Sequence, residues 1–327
     1  MSTAITSTNP FGIFKLKKRN KNSILLLITV LSIGFWSCSS VTNNTELTSD
    51  ADLDMAAEIM GSSISDQESG LMNSVYDGLS NVSATGISYG KNQSFLLKSN
   101  NEDRSGRGFE RSFSHSYDST TGIHTLSFER SFEKGLFSSS ISTLQELQYT
   151  DLEGNFIARP KLRRNDVNQI QLLSTKTGTH NNPRKSSEFT KIDSLHFSGL
   201  HSTQNRVLMD GVHQNFGSGE AVLRDSSTHA RSYEVEVSFN NIVINKDTLS
   251  TYGKLENAVS GTLTYRMVMS KVINGVPEEK MIEGTIDLEE DGTALMKFYN
   301  YDRTYRLGLK DGDIRERGRK GRRMGGK

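Results

Sequence analysis

Short stretches of alternating apolar and polar residues, broken by Gly, Asn and Asp, fill most of the chain beyond about residue 85. Such alternation is typical of β-strands with one buried face, and the breaks are typical of turns. The clearest stretches are residues 233–239, 242–245, 261–269, 293–300 and 304–309. No ten-residue helical crossovers separate them, so the strands should be antiparallel. With strands of five or six residues, we expect about 10 to 12 of them within residues 85–312.

A helical pattern occurs only within residues 51–84. Apolar residues recur there at helical spacing in two runs: Leu53, Ala56, Ala57 and Met60, then Leu71, Met72, Val75 and Leu79. Gly61 is a plausible stop for the first helix, and Ser65 with Glu68 forms a capping-box pattern before the second. We therefore predict two short helices that pack against the sheet, in preference to helices that bind a partner or a membrane.

The predicted fold class is mainly β, with a short helical N-terminal segment and a large twisted antiparallel sheet. The sheet is expected to be an open meander, an open barrel or a sandwich. A weak internal repeat relates residues 197–224 to residues 259–297, with Gly211 matching Gly284 and Gly219 matching Gly292. The repeat predicts matching units of strand, hairpin, strand, glycine turn and strand.

The sequence FERSF occurs at residues 109–113 and again at 128–132. Pairing around the loop 119–122 would make an antiparallel hairpin. Its facing pairs would be Phe109 with Phe132, Arg111 with Arg130, and Phe113 with Phe128. One face would be aromatic and would include Tyr117, and the other would be almost entirely polar. The repeated word therefore predicts a half-buried hairpin and not a duplicated domain.

This register places Arg111 and Arg130 side by side on the aromatic face, where opposed like charges destabilise a strand pair. A carboxylate from elsewhere, or guanidinium groups that extend past the rings to water, would relieve the repulsion, and this explanation is favoured. The alternative is an anionic ligand held by both guanidinium groups against aromatic walls. The candidate ligand-binding residues are then Arg111, Arg130, Phe113, Phe128 and Tyr117.

The N-terminus has the features of an export signal. A basic block between Lys15 and Lys21 precedes an apolar run at residues 24–36, which is shorter than the roughly 20 residues that span a bilayer. Ser37 then precedes Cys38, the only cysteine.

Residues 15–40 resemble the signal peptide and lipobox of bacterial lipoproteins, although Phe35 and Trp36 stand where Leu and a small residue are commoner. The resemblance implies that residues 1–37 are removed and that Cys38 is lipidated and anchors the protein in a membrane. Ser39 after the cysteine implies sorting to the outer membrane. The alternative is an ordinary cleaved signal with an incidental cysteine.

Polar segments flank the predicted fold. Residues 38–50 read as a flexible tether, and residues 313–327 as a disordered basic tail. The tail supplies candidate contacts to an anionic surface, such as lipid headgroups or an acidic glycan: Arg315, Arg317, Arg319, Lys320, Arg322 and Arg323. A solvated tail without a specific partner is an equal alternative. The net charge of +1 and the export signal give no support to nucleic-acid binding.

No catalytic or metal-binding constellation is evident. There is no GxSxG, HExxH, paired CxxC or EF-hand pattern, and the cysteine is assigned to the N-terminus. A hairpin turning at residues 204–205 would place His196 opposite His213, but a third metal ligand is missing, so ordinary surface or hydrogen-bonded histidines are favoured. A carboxylate pair assembled from distant strands stays open.

The sequence thus predicts a lipid-anchored cell-envelope protein, on the periplasmic or the surface side of the outer membrane. It should act without a cofactor, as a non-catalytic binding module for an amphipathic or anionic ligand such as a lipid or an acidic glycan. The first alternative is a scaffold that contacts envelope proteins or polymers through sheet edges and the basic tail. An envelope hydrolase is the third and least favoured reading.

Overall fold

Twelve antiparallel strands form one open sheet, in which each strand pairs with the next along the chain. The computed structural model describes residues 49–66, 70–80, 109–222, 228–273 and 276–316. The strands are β1 Phe109–Asp118, β2 Ile123–Lys134, β3 Phe137–Thr150, β4 Gln169–Asn182, β5 Lys185–Ser198, β6 Arg206–Val222, β7 Thr228–Asn245, β8 Val259–Ile273, β9 Val276–Glu289, β10 Thr293–Phe298, β11 Thr304–Gly308 and β12 Ile314–Glu316. The predicted mainly β fold is confirmed.

The helices within the described residues are α1 Asp50–Ile64, α2 Leu71–Ser80 and α3 Lys246–Tyr252, and a 3₁₀ turn follows α3 at Leu255–Asn257. The predicted N-terminal pair is confirmed, and its apolar stripes are buried. The prediction of a single helical region is wrong, because α3 forms between β7 and β8. There the Asn245 side chain accepts from two backbone amides at the start of α3, and Gly253 ends it in the left-handed conformation. No helix in the described ranges is both long enough and apolar enough to cross a membrane.

Gly61 does not end the first helix, contrary to the sequence prediction. The helix continues to Ile64, and Ser49 caps its start in a reciprocal pair of bonds with Asp52. A Cβ atom on Gly61 would lie 2.6 Å from the Gly312 carbonyl oxygen. Glycine is therefore needed here for close packing of α1 against the turn before β12, and not for termination.

We expect Gly61→Ala to lower the free energy of unfolding by about 1–2 kcal/mol, because the clash with Gly312 outweighs the better helix propensity of alanine. The matched control is Ser62→Ala in the same helical turn, which removes no such contact and should be neutral or slightly stabilising. Chemical denaturation of both variants checks this. If the two variants were equally stable, the turn before β12 would have to move aside for the added methyl group at little cost.

The two faces of the sheet differ in burial. The inner face packs against α1 and α2 and carries the hydrophobic core. Along β4, Ile170, Leu172 and Ser174 are buried and alternate with exposed residues, as the sequence pattern predicts for a sheet covered on one side. We call the opposite side of the sheet the outer face.

The weak internal repeat does not correspond to matching structural units, which corrects that prediction. Residues 210–222 lie within the single strand β6, whereas residues 283–297 pass from β9 through a turn into β10. Gly219 accordingly lies within a strand, and Gly292 lies in the turn with a φ of 86°. Similar alternation and glycine spacing can arise in strands with different roles, which explains the match in sequence.

Several predicted segments lie wholly or largely outside the described residues. They are the signal peptide (residues 1–37) with Cys38, the tether (38–50) up to residue 48, and the first part of the predicted β region, residues 85–108. Glu68 of the second capping box also lies outside them. These predictions stay predictions.

Candidate functional site

The predicted arginine hairpin forms with the predicted register, with Arg111 facing Arg130 and Phe113 facing Phe128. Pairing of β2 with β3 places the aromatic face on the inner side of the sheet. The aromatic face is unevenly buried. His124, near the turn, exposes 4% of its surface, whereas Phe113 exposes 49%. The hairpin is expected to bury its whole aromatic face, and this expectation is wrong at Phe113. The physical reason is that α2 packs on β4 and β5 instead.

The turn end of this hairpin is a packing contact. The ring of Tyr117 lies 4.5 Å from that of His124, and His124 Nε2 lies 3.2 Å from the Ile157 carbonyl oxygen. Burial lowers the pKa of His124, although the bond to Ile157 acts in the opposite direction. Phe128 and Arg130 are partly buried farther along the same face. The structure thus brings the backbone of the five candidate residues together, and a ligand there stays a prediction.

His196 and His213 do not face each other, which corrects the sequence prediction. Asp193 lies opposite His213 and Asp210 lies opposite His196, because an irregular loop over residues 199–205 replaces the expected two-residue turn. His196 is on the outer face, 3.9 Å from Asp210, whereas His213 is fully buried. Among the described residues, no group of three or more His, Cys, Asp or Glu side chains is placed to hold a metal ion.

His213 lies at the centre of a buried chain of hydrogen bonds, which we call the relay, that joins the sheet to α1 and α2. Its Nδ1 lies 2.6 Å from Asp193 Oδ1, and its Nε2 lies 2.9 Å from Ser63 Oγ of α1. Ser74 of α2 donates its hydroxyl proton to Asp193 Oδ2 at 2.6 Å. All four residues expose 2% or less of their surface. Because a carboxylate only accepts, His213 donates from Nδ1 to Asp193, and its Nε2 is hydrogen-bonded to Ser63.

More buried polar contacts surround this relay. Lys176 donates to Asn73 at 2.7 Å, and Gln145 donates to Asp77 at 3.3 Å, so that α2 is bonded to β3 and β4 as well as to β5. Burial raises the pKa of Asp77, although Lys176 and the bond from Gln145 oppose the shift. These bonds satisfy polar groups where the helices meet the sheet, which makes their mutual position specific.

The Ser63–His213–Asp193 relay has the connectivity of a serine nucleophile activated by histidine and a carboxylate. Its Ser63 side chain is fully buried, and the concavities described below lie on the outer face of the sheet. A hydroxyl that no substrate reaches performs no acyl transfer, so we assign the relay a structural role. No sequence pattern indicates this relay, because its bonds join residues 20 and 150 positions apart.

A continuous polar row crosses eight strands on the outer face. Strand pairing brings the following residues side by side, from β2 to β9: Ser131, Ser140, Thr179, Glu188, Ser218, Ser232, Ser270 and Glu279. Each is a hydroxyl or a carboxylate, and we call this set the hydroxyl row. At about 4.8 Å per strand, the row is roughly 34 Å long.

Two overlapping concavities follow the hydroxyl row and together form a trough, with volumes of about 500 and 520 Å³. They share Thr179, Glu188, Ser218, Ser232 and Ser270. Only two bonds between side chains of the row occur among the described residues, one between Ser140 and Thr179 and one from Ser218 to Glu188. Most of its hydroxyl groups thus keep donors and acceptors for a ligand.

The trough also has apolar and acidic parts. Phe216 and Val268 line it, and the glutamates Glu188, Glu234 and Glu279 lie within it. Among the described residues, no Lys or Arg lines the first concavity, and Arg231 lines the second together with Glu220. The four glutamates thus outnumber the one cation. The trough therefore suits a neutral or positively charged ligand, and it disfavours an acidic one.

The basic tail begins later than the sequence predicts. Ile314–Glu316 forms β12 and pairs with β11, so that Arg315 lies opposite Arg306. The assignment of Arg315 to a disordered tail is therefore wrong. The neighbouring residue Ile314 pairs with Leu307 at the edge of the core and holds this segment in the sheet. The other candidates, Arg317, Arg319, Lys320, Arg322 and Arg323, lie outside the described residues.

Comparison with known proteins gives no assignment, since no family model, no curated protein and no solved structure matches this chain.

Proposed function

We propose that this chain is a lipid-anchored cell-envelope protein that acts by binding, and that its ligand is an extended polyhydroxylated molecule. A neutral or amino-bearing glycan chain has this chemistry. The observation that carries the proposal is the hydroxyl row, which crosses eight strands and lines the open trough on seven of them, β3 to β9. The lipid anchor rests on the resemblance of residues 15–40 to lipoprotein signals.

The trough offers the contacts that a sugar chain requires. Hydroxyl side chains both donate and accept hydrogen bonds, and the glutamates accept from sugar hydroxyls or amines. Phe216 supplies a ring on which the apolar face of a sugar can pack, and the surrounding polar groups fix its orientation. Strands that follow one another at a regular spacing repeat these contacts along a linear polymer.

Affinity electrophoresis against neutral, amino-bearing and carboxylated polysaccharides tests this proposal. We expect retardation by the neutral and amino-bearing polymers, and little by the carboxylated ones, which the glutamates repel. Phe216→Ala combined with Glu234→Gln should weaken binding by about tenfold, because a ring contact and a charged hydrogen bond are both lost.

The matched control is Glu236→Gln. Glu236 lies two residues from Glu234 on the same strand and face, and it bonds to Gln214 outside the trough. Its substitution should change affinity by less than about twofold. If no polysaccharide binds, or if the control loses as much affinity as the double variant, the trough is not the binding site.

The arginine hairpin supports a second candidate, the binding of an anionic amphipathic ligand on the inner face. Its favouring observation is the confirmed pairing of Arg111 with Arg130 beside the exposed ring of Phe113. The acidic trough and this basic hairpin lie on opposite faces, so the charge of the bound ligand distinguishes them. Retardation by carboxylated polymers that is lost in Arg130→Gln would favour the hairpin.

A further inference from the structure

We propose that one end of the sheet docks on an anionic lipid surface. Because the strands alternate in direction, β2, β4, β6 and β8 all finish at the same end. The turn between β2 and β3, Lys134 to Phe137, and the turn between β4 and β5, Asn182 to Lys185, therefore lie at one edge. We call this edge the hairpin rim.

The first turn of the rim exposes two large apolar side chains. Leu136 is 76% exposed and Phe137 is 53% exposed, in the segment Lys134-Gly135-Leu136-Phe137. Residues at such turns are normally Gly, Asn, Asp, Ser or Pro, because these satisfy the turn geometry and remain hydrated. This Leu–Phe pair leaves more than half of each side chain exposed, and both side chains are suited to the boundary between headgroups and acyl chains.

Basic side chains accompany this apolar pair. Lys134 is on the same turn, and Arg184 and Lys185 are on the neighbouring one, and all three are exposed. None of them forms an ion pair with a described residue. Neither turn contains an acidic residue, and the nearest ones are Glu133 on β2 and Glu220, which lies opposite Ser186, so positive charge predominates in the turns. Lysine and arginine near a membrane surface are attracted to anionic lipids, and salt weakens that attraction.

The start of α1 lies at the same end of the sheet. Asp52, in its first turn, bonds to Lys271 at 3.0 Å and to Lys280 at 2.6 Å, and these lysines are close to the β8–β9 turn. Ser49, which precedes α1, therefore lies at the same end of the sheet as the hairpin rim, beside strands farther along the sheet. The docking does not depend on a lipid anchor.

The test uses tryptophan as a depth probe in the full chain reconstituted in vesicles. Trp36 is the only tryptophan, so Trp36→Phe with Phe137→Trp leaves a single emitter on the rim. The matched control is Trp36→Phe with Leu162→Trp. Leu162 is 77% exposed in the loop between β3 and β4, at the opposite end of strands that are about 45 Å long.

In vesicles with anionic and brominated lipids, we expect the emission from position 137 to be quenched at least threefold more than that from position 162. The difference should fall in 1 M salt and in vesicles without anionic lipid. Reversal of the three rim charges (Lys134→Glu, Arg184→Glu and Lys185→Glu) in the Phe137→Trp chain should abolish it. Equal quenching at both positions overturns the proposal, and so does quenching that survives charge reversal. The glycan-binding proposal stands or falls separately, because neither substituted turn lies in the first concavity.

Discussion

Asp193→Ala should lower the free energy of unfolding by about 3–5 kcal/mol, the largest single effect that we expect. The carboxylate accepts from His213 on β6 and from Ser74 on α2, and all three residues are buried. Its removal leaves a buried imidazole N–H and a buried hydroxyl without acceptors, and it removes the bond between α2 and β5, whereas the bonds of Asn73 to Lys176 and of Asp77 to Gln145 remain. Denaturation in urea, followed by circular dichroism, measures this loss.

A second test of the buried hydrogen bonds is His213→Ala, and His196→Ala is its matched control. Both histidines lie opposite or beside an aspartate on β5 and β6, but His196 is 39% exposed and 3.9 Å from Asp210. We expect a loss of about 3 kcal/mol for His213→Ala and less than about 0.5 kcal/mol for His196→Ala. Similar losses for the two histidines would contradict a stabilising role for burial and hydrogen bonding at His213.

The local features of this fold were predictable because local pattern decides them. The FERSF hairpin has a short loop, and its two halves are complementary in only one register, which the structure contains. The connection between β5 and β6 is different, since an irregular loop over residues 199–205 sets the register there. The residue types of that loop do not determine where the strands end, so the sequence prediction that pairs His196 with His213 is wrong.

The candidate sites depend on information of longer range. The hydroxyl row requires the register of seven successive strand pairs, and an error in any of them would shift the residues on one side of that pair out of line with those on the other. The Ser63–His213–Asp193 relay requires the position of α1 on the sheet, which Gly61 and Gly312 fix through a backbone contact. Sequence pattern shows which side of a strand is polar, but it does not show which polar residues from distant strands meet.

Asp52→Asn should lower the free energy of unfolding by about 2–3 kcal/mol at neutral pH, less than for a fully buried ion pair because both lysine partners are partly exposed. The Asp52 carboxylate is 3% exposed, bonds to Lys271 and Lys280, and caps the helix through Ser49. The neutral amide leaves two neighbouring ammonium groups without their shared counter-charge. The matched control is Asp50→Asn, in the same first turn but 81% exposed, which should lose less than about 0.5 kcal/mol.

The pH dependence of the free energy of unfolding separates the contribution of the Asp52 charge from that of its hydrogen-bond geometry. Burial alone would raise the pKa of Asp52, but the hydrogen bonds from Lys280, Ser49 and Lys271 outweigh it and hold the pKa well below its ordinary value. A carboxyl whose pKa is lower in the folded than in the unfolded state stabilises the fold fully above the unfolded value, about 3.9, and progressively less as the pH falls below it. The stability difference between the wild type and Asp52→Asn should therefore be constant from about pH 6 to 8 and shrink below about pH 4. A difference that stays constant down to pH 3 would mean that the charge contributes nothing and that Asn fails only through lost hydrogen-bond geometry.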